Sequence, residues 1–220
     1  PSHGVQISAD IKTVSGNVKI SGTGNGGDYP GTALSYSGNI EAQGAANVDL
    51  EGIGAGSTGL SFGGTISIVD GDLSMIGRSN ASSRNAAIHG LSFNQATITG
   101  ETGLLYFGGS AQLPPIDAIS PYTNRAINYR NTSVSSTSGI IRVEHLGGTA
   151  VDLYLESTLA APTVEVMGDG GDNEFYLTEI NPTYLIKGQG GTDIIDFNFA
   201  SAAVEIPFDS LEAISRIIGN

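Results

Sequence analysis

The sequence predicts an all-β fold, a right-handed parallel β-helix or solenoid, from three observations. Apolar residues alternate with period two, a strand-and-turn unit recurs along the chain, and 32 of the 220 residues are glycine. Alternation at Val18/Ile20, Val48/Leu50, Ile66/Ile68 and Leu73/Met75 gives each segment one inward and one outward face, the period of a strand rather than of a helix. Glycine and the 8 prolines together fall short of the roughly 25–30% that marks low-complexity disorder. With 39% hydrophobic residues and this length, the chain has the means to bury a core.

The repeat carries most of the architecture. Val18-Lys19-Ile20-Ser21-Gly22-Thr23-Gly24 leads to Ala33-Leu34-Ser35-Tyr36, and Val48-Asp49-Leu50-Glu51-Gly52-Ile53-Gly54 leads to Gly59-Leu60-Ser61-Phe62. Leu73-Ser74-Met75-Ile76-Gly77 leads to Gly90-Leu91-Ser92-Phe93, and a shorter copy, Ala96-Thr97-Ile98-Thr99-Gly100, leads to Gly103-Leu104-Leu105-Tyr106-Phe107. On this alignment Ile20, Leu50, Met75 and Ile98 are equivalent, at spacings of 30, 25 and 23 residues. A unit this short cannot bury its apolar edge alone. Stacking equivalent strands buries it, and insertions leave as loops.

Residues 111–139, with Pro114-Pro115 and Pro121, are expected to be an irregular, loop-rich stretch inside one continuous solenoid over 1–220. Alternation resumes at Ile140 to Glu144 and Val151 to Leu155. A second repeat, offset by 20 residues, aligns Val164 to Leu177 with Tyr184 to Phe197, each strand entering a Gly-x-Gly-Gly turn. Near the end, Asp209 or Ser210 caps a short helix over Leu211, Ile214 and Ile218, or the segment is another coil.

Charge excludes some functions. A net charge of −13 repels phosphate backbones, so no nucleic acid partner is expected. No apolar run approaches the ~20 residues of a membrane span, so no membrane insertion is expected, and the lack of cysteine removes disulfides and thiolate sites. The chain starts at Pro1 without a Met-led leader and ends on apolar Ile217-Ile218, as expected of a piece cut from something longer or of a chain processed at its start. The acidity is local: residues 151–220 hold 12 acids against Lys187 and Arg216.

Residues 15–24 (Ser-Gly-Asn-Val-Lys-Ile-Ser-Gly-Thr-Gly), Ser37 to Gly44 and Gly64 to Leu73 resemble the coils of filamentous-haemagglutinin-type large bacterial exoproteins, a likeness that covers about residues 8–110. Residues 164–199 resemble the Gly- and Asp-rich calcium-binding repeats of RTX-type secreted proteins, although that family sets its turns in tandem every nine residues and here two copies sit 20 apart. The resemblance implies a secreted, surface-associated parallel β-helix. Residues 140–220 are expected to form acidic coils with Gly/Asp-rich turns. Asp169, Asp172, Asn173, Asp193 and Asp196 are the candidate metal ligands. A hard cation such as Ca²⁺ takes six to eight oxygens from carboxylates and carbonyls, and Gly-rich turns can present both.

Other motifs carry less. Gly59-Leu60-Ser61-Phe62-Gly63 matches the Gly-x-Ser-x-Gly nucleophile elbow, but Ser35 and Ser92 hold the same place in sister copies and no helix is expected to follow. Gly22-Thr23-Gly24-Asn25-Gly26-Gly27 matches a dinucleotide fingerprint, yet Asp28-Tyr29-Pro30 follows where a helix start is required. His3, His89 and His145 are expected on loops or the surface. The carboxylate pairs Asp49/Glu51, Asp70/Asp72 and Asp193/Asp196 are expected to point into solvent or sit in turns. The expected function is therefore a non-enzymatic structural or adhesive segment of a secreted or cell-surface bacterial exoprotein, contacting a surface glycan, a protein receptor or copies of itself. A β-helical polysaccharide lyase or hydrolase and a calcium-dependent folding module are the alternatives.

Overall fold

A computed structural model describes residues 4–25, 31–80, 87–113, 124–149, 152–156, 159–178, 183–197, 200 and 211–219. Among these residues there are strands and no helix. The chain repeats a circuit of short strands. The first circuit is β1 (Val5–Ile7), β2 (Ile11–Thr13) and β3 (Val18–Asn25), and the second is β4 (Thr32–Tyr36), β5 (Asn39–Ala42) and β6 (Val48–Ala55). The third is β7 (Thr58–Phe62), β8 (Thr65–Ile68) and β9 (Leu73–Ser79), and the fourth is β10 (His89–Asn94), β11 (Thr97–Gly100) and β12 (Leu104–Ser110). Next come β13 (Arg125–Arg130), β14 (Ser133–Ser136) and β15 (Ile140–His145), then β16 (Asp152–Leu155), β17 (Leu159–Ala160) and β18 (Thr163–Met167). The last are β19 (Glu174–Leu177) with β20 (Tyr184–Lys187), β21 (Ile194–Asp196) with β22 (Leu211–Glu212), and β23 (Arg216–Ile218).

Strands in the same place of successive circuits pair in parallel, giving three sheets: sheet I from β1 to β23, sheet II from β2 to β17 and sheet III from β3 to β22. Strands stacked in chain order on three sheets are consistent with a β-helix or solenoid. The register puts chemically similar side chains on top of one another. Leu34, Leu60, Leu91, Ile127, Leu153, Phe175 and Ile195 form one inward column of sheet I. Ile11, Ile40, Ile66, Ile98, Val134 and Leu159 form that of sheet II. Ile20, Leu50, Met75, Phe107, Val143, Val166 and Ile186 form one of sheet III. These residues meet in one core.

Aromatic rings mark its centre. Tyr36 stacks on Phe62 with centroids 5.8 Å apart, and Phe93 packs against Tyr129 at 4.6 Å and Phe107 at 5.6 Å. Such tilted and offset pairs add about 0.5–1.5 kcal/mol each beyond their burial.

The structure corrects the repeat in its fourth copy. Ile98 does not follow Met75 but stacks on Ile66 in sheet II, and Phe107 is the residue beside Met75. The true continuation of Leu-Ser-aromatic is Ile127-Asn128-Tyr129, in register with Leu91-Ser92-Phe93. Consequently β13 and β14 extend regular pairing into the stretch expected to be irregular, while Pro114 to Thr123 lie outside the described residues. The 20-residue offset appears as paired register, Val164 on Tyr184 and Phe175 on Ile195. Leu211–Glu212 and Arg216–Ile218 are strands, so the described part of the terminal segment follows the coil alternative. Asp209 and Ser210 lie outside the described residues.

Because Phe93 touches Phe62, Phe107 and Tyr129 while 2% exposed, Phe93→Ala should cost about 3–5 kcal/mol. Its neighbour Ser92, on the outer face, should tolerate Ala within about 0.5 kcal/mol. Urea unfolding of both variants checks the pair of values.

Candidate functional site

The corner where sheet III hands over to sheet I is where polar side chains enter the interior. In the early circuits it is lined by Gly22, Gly52, Gly77 and Gly109 in register. A Cβ at Gly52 or Gly77 would run into the Gly59 or Gly90 carbonyl, so the two sheets approach this closely only over glycine. The next residue in that column is His145, which is 2% exposed. Beyond it the corner is opened by Gly168, whose Cβ would meet Asn173 Nδ2, and by Gly188, whose Cβ would meet the Asp193 carboxylate. The missing side chains make room for Asn173 and Asp193, 1% and 0% exposed.

Asn173 is the hub. Its Nδ2 donates to Asp193 Oδ1 at 2.8 Å and to the Gly171 carbonyl at 2.7 Å, and its backbone N–H donates to the same Asp193 oxygen at 3.0 Å. Since Asp193 Oδ1 accepts, the amide nitrogen of Asn173 must face it, and Asn173 Oδ1 faces His145 Nδ1 at 2.7 Å. An amide oxygen only accepts, so Nδ1 carries the imidazole proton. The Asp169 N–H also donates to Asn173 Oδ1, at 3.2 Å, and Asp169 Oδ2 lies 3.5 Å from His145 Nδ1. Both donors and both lone pairs of the Asn173 side chain are thereby used. Two atoms of the cluster are buried without a hydrogen-bond partner: Asp193 Oδ2 and His145 Nε2.

Of the five candidate ligands, the fold gathers Asp169, Asn173 and Asp193 and separates the other two. Asp172 is exposed and accepts the Thr192 N–H at 2.7 Å, and Asp196 lies on β21 in register with Tyr176. Among the described residues, no group of three or more His, Asp or Glu is arranged to hold a metal ion. Asp169 Oδ1 accepts the Gly171 N–H at 2.9 Å, and Asp193 Oδ1 accepts the Asn173 N–H.

Sequence reasoning missed His145 by treating it as a loop or surface residue, whereas it is a buried strand residue at the end of β15. The signal was present, since Ile141, Val143 and His145 continue one inward alternation. His89 is likewise on a strand, β10, and burial, with the Arg125 and Arg130 guanidinium groups nearby, pushes its pKa down to about 4. His3 lies outside the described residues.

The remaining candidates sit elsewhere. Ser35, Ser61 and Ser92 stack in register on the outer side of sheet I, and Ser61 is followed by β8 rather than by a helix. Asp49 and Glu51 face outward between buried Val48 and Leu50. They border a shallow depression of about 210 Å³ with Lys19 and Ser74. Asp72 caps a corner ladder in which the Asn47 N–H bonds Asn17 Oδ1, the Asp72 N–H bonds Asn47 Oδ1 and the Leu104 N–H bonds Asp72 Oδ1, at 3.0, 2.9 and 2.7 Å. No protein-family model matches the chain, and no curated protein and no solved structure matches it.

Asn173→Asp removes the donor that faces Asp193 and sets two acceptors against each other in a buried corner, so it should destabilise by about 3 kcal/mol or more at neutral pH. Asp172→Asn, at an exposed cap, should cost under about 1 kcal/mol. Denaturant melts separate the two.

His89 gives a second test. Its folded pKa lies below the usual 6.5, so the unfolded chain binds the extra proton first and stability falls as pH drops from about 6.5 toward about 4. His89→Gln should flatten that part of the stability-against-pH curve. An unchanged slope between the two proteins would show that His89 does not titrate differently on folding.

Proposed function

We infer that this chain is a right-handed parallel β-helix serving as a structural and adhesive segment of a secreted or cell-surface bacterial exoprotein. Right-handedness is supported by the handedness of parallel crossovers, which are right-handed in about 98% of cases. The observation that carries the adhesive reading is the outer face of sheet II. Thr65, Thr97 and Ser133 are exposed and in register, and Ser67, Thr99 and Ser135 stack two residues further along each strand. Strands roughly 4.8 Å apart set these hydroxyls in a flat grid of donors and acceptors on a rigid scaffold. A glycan or protein surface presents complementary groups to such a grid with little ordering cost, because the scaffold is already fixed.

A second reading rests on Asp193. Its buried Oδ2 has no hydrogen-bond partner, and the Gly171 and Gly188 carbonyls lie around the same amide of Asn173. A cation at this corner would use Asp193, Asp169 and those carbonyls, making calcium a folding ligand of the acidic coils.

Solid-phase binding of the purified chain to glycan arrays and to cell surfaces tests the first reading. Saturable binding that falls tenfold or more in Thr65→Asp/Thr97→Asp/Ser133→Asp supports it, whereas release of shortened sugar products would favour the polysaccharide-cleaving alternative. For calcium, a thermal melt with millimolar Ca²⁺ against chelator should raise Tm in the parent and not in Asp193→Asn. An equal rise from NaCl of matched ionic strength would indicate screening alone.

A further inference from the structure

We propose that the corner where sheet I hands over to sheet II in the fourth and fifth circuits is a subsite for a neutral sugar, gripped by Gln95, Asn131 and Glu156. The inference rests on the adhesive reading and names the class of glycan and the groups that meet it. It starts from a change in corner length. Ile7 to Ile11, Tyr36 to Ile40, Phe62 to Ile66 and Leu155 to Leu159 each run from the last inward residue on sheet I to the inward column of sheet II, with three residues between, as in Gly63-Gly64-Thr65. Phe93 to Ile98 and Tyr129 to Val134 have four between, Asn94-Gln95-Ala96-Thr97 and Arg130-Asn131-Thr132-Ser133.

The added residue falls at the same place in both circuits. Asn94 stacks on Arg130 and Thr97 on Ser133, which sets Gln95 in step with Asn131. Both take left-handed backbone, with φ of 55° and 48°, a conformation that glycine adopts freely and glutamine seldom does. The preceding circuit turns this corner on Gly63-Gly64, and a Cβ on Gly63 would meet the Asn94 carbonyl oxygen of the longer corner at 2.8 Å. Two successive coils thus hold a side-chain amide where an extra residue was inserted in a strained conformation. Strain of this kind concentrates at ligand sites, where the side chain itself is needed.

At these long corners the surface drops into an open depression of about 440 Å³, within the size range of small-ligand sites. Gln95, Thr97, Asn131, Ser133 and Glu156 are exposed around it, and Ala96 is buried among them. The amides and hydroxyls both donate and accept, and the carboxylate accepts. Glu156 is held by Arg130 Nε at 2.8 Å, so a cationic ligand would have to displace that guanidinium. An anionic ligand would meet Glu156 on a chain of net charge −13. Among the described residues of the lining, Ala96 alone is apolar, which disfavours an aliphatic or aromatic ligand. A neutral sugar satisfies the lining, because each of its hydroxyls donates and accepts and neighbouring hydroxyls can be shared between amides one coil, roughly 4.8 Å, apart. Glu156 is the single carboxylate of this lining, so the pair that glycosidic cleavage uses is not assembled and the site holds its sugar without cutting it.

The test prints neutral glycans beside sialylated and sulfated ones and measures binding of the full chain at physiological and at molar salt. The parent should bind the neutral set, keep that binding in molar salt, and be competed by millimolar free glucose, galactose or mannose. Gln95→Gly with Asn131→Gly removes both amides and relieves the backbone at both positions, so Tm should stay within about 4 °C of the parent while neutral-glycan binding falls tenfold or more. A double variant that binds as the parent does overturns the subsite, and if Thr65→Asp/Ser67→Asp then abolishes binding, the adhesive grid of sheet II stands without it. A preference for sialylated or sulfated glycans, or loss of binding in molar salt, overturns the neutral-sugar inference and leaves the adhesive reading in place. A parent that binds cells and no glycan does the same, and a parent that binds neither overturns both.

Discussion

The structure depends on one constraint: each coil must offer its backbone N–H and C=O groups to the coil above and below in unbroken parallel register. A buried peptide group without a partner costs as much as a lost hydrogen bond, so the register is defended at every strand. Its consequence is that side chains stack on their equivalents, and each column selects residues that tolerate themselves as neighbours. Leucine and isoleucine do so by filling space, and Tyr36, Phe62, Phe93 and Tyr129 by ring contact. Asn17, Asn47 and Asp72 do so by passing a hydrogen bond from coil to coil.

Corners obey a second rule, set by how closely two sheets meet. Gly52 and Gly77 let backbones touch where any Cβ would collide, and the geometry holds as long as glycine recurs. His145 breaks the run, and Gly168 and Gly188 then leave space that Asn173 and Asp193 fill. Polar side chains buried this deeply must bond or be heavily penalised. The coupling of His145, Asn173, Asp169 and Asp193 follows from that requirement, and it joins β15 to the coils after it by side-chain contacts in addition to apolar packing.

Much of this was legible in the sequence. Period-two alternation gave the strands, and the 20-residue offset gave the register of the acidic coils outright, because its turns have equal length in both copies. The earlier circuits were harder to align, since insertions between Phe93 and Ile127 change the spacing while the inward columns stay in place. Ile98 was put in the wrong column for that reason: three sheets present similar apolar alternation, and sequence spacing does not say which sheet a segment joins. The corner cluster was half visible. Asp169, Asn173 and Asp193 were found from composition, but their partner His145 lies upstream of the repeat and reaches them only through the stacking of β15 on β18.

Stacking also explains where the charges are. A column of identical charges would repel at every step, and most charges in this fold stack on opposite or neutral residues, the register of Asp152 on Glu174 being an exception. Lys12 pairs with Glu41, Arg142 with Glu165, Arg130 with Glu156 and Lys187 with Glu212, each across adjacent coils. These pairs are largely exposed, so each contributes only a fraction of a kcal/mol, and what they achieve is the avoidance of like-charge contact. The same rule governs the acidic copies. In their register Asp169 meets Gln189, Asp172 meets Thr192, Asn173 meets Asp193, Tyr176 meets Asp196 and Glu165 meets Leu185, so no acid rests on another acid. The shift of acids between the two 20-residue copies thereby keeps the carboxylates of one copy off those of the other. Any cation held there would act on Asp169 and Asp193 around Asn173, and not by relieving repulsion between stacked carboxylates.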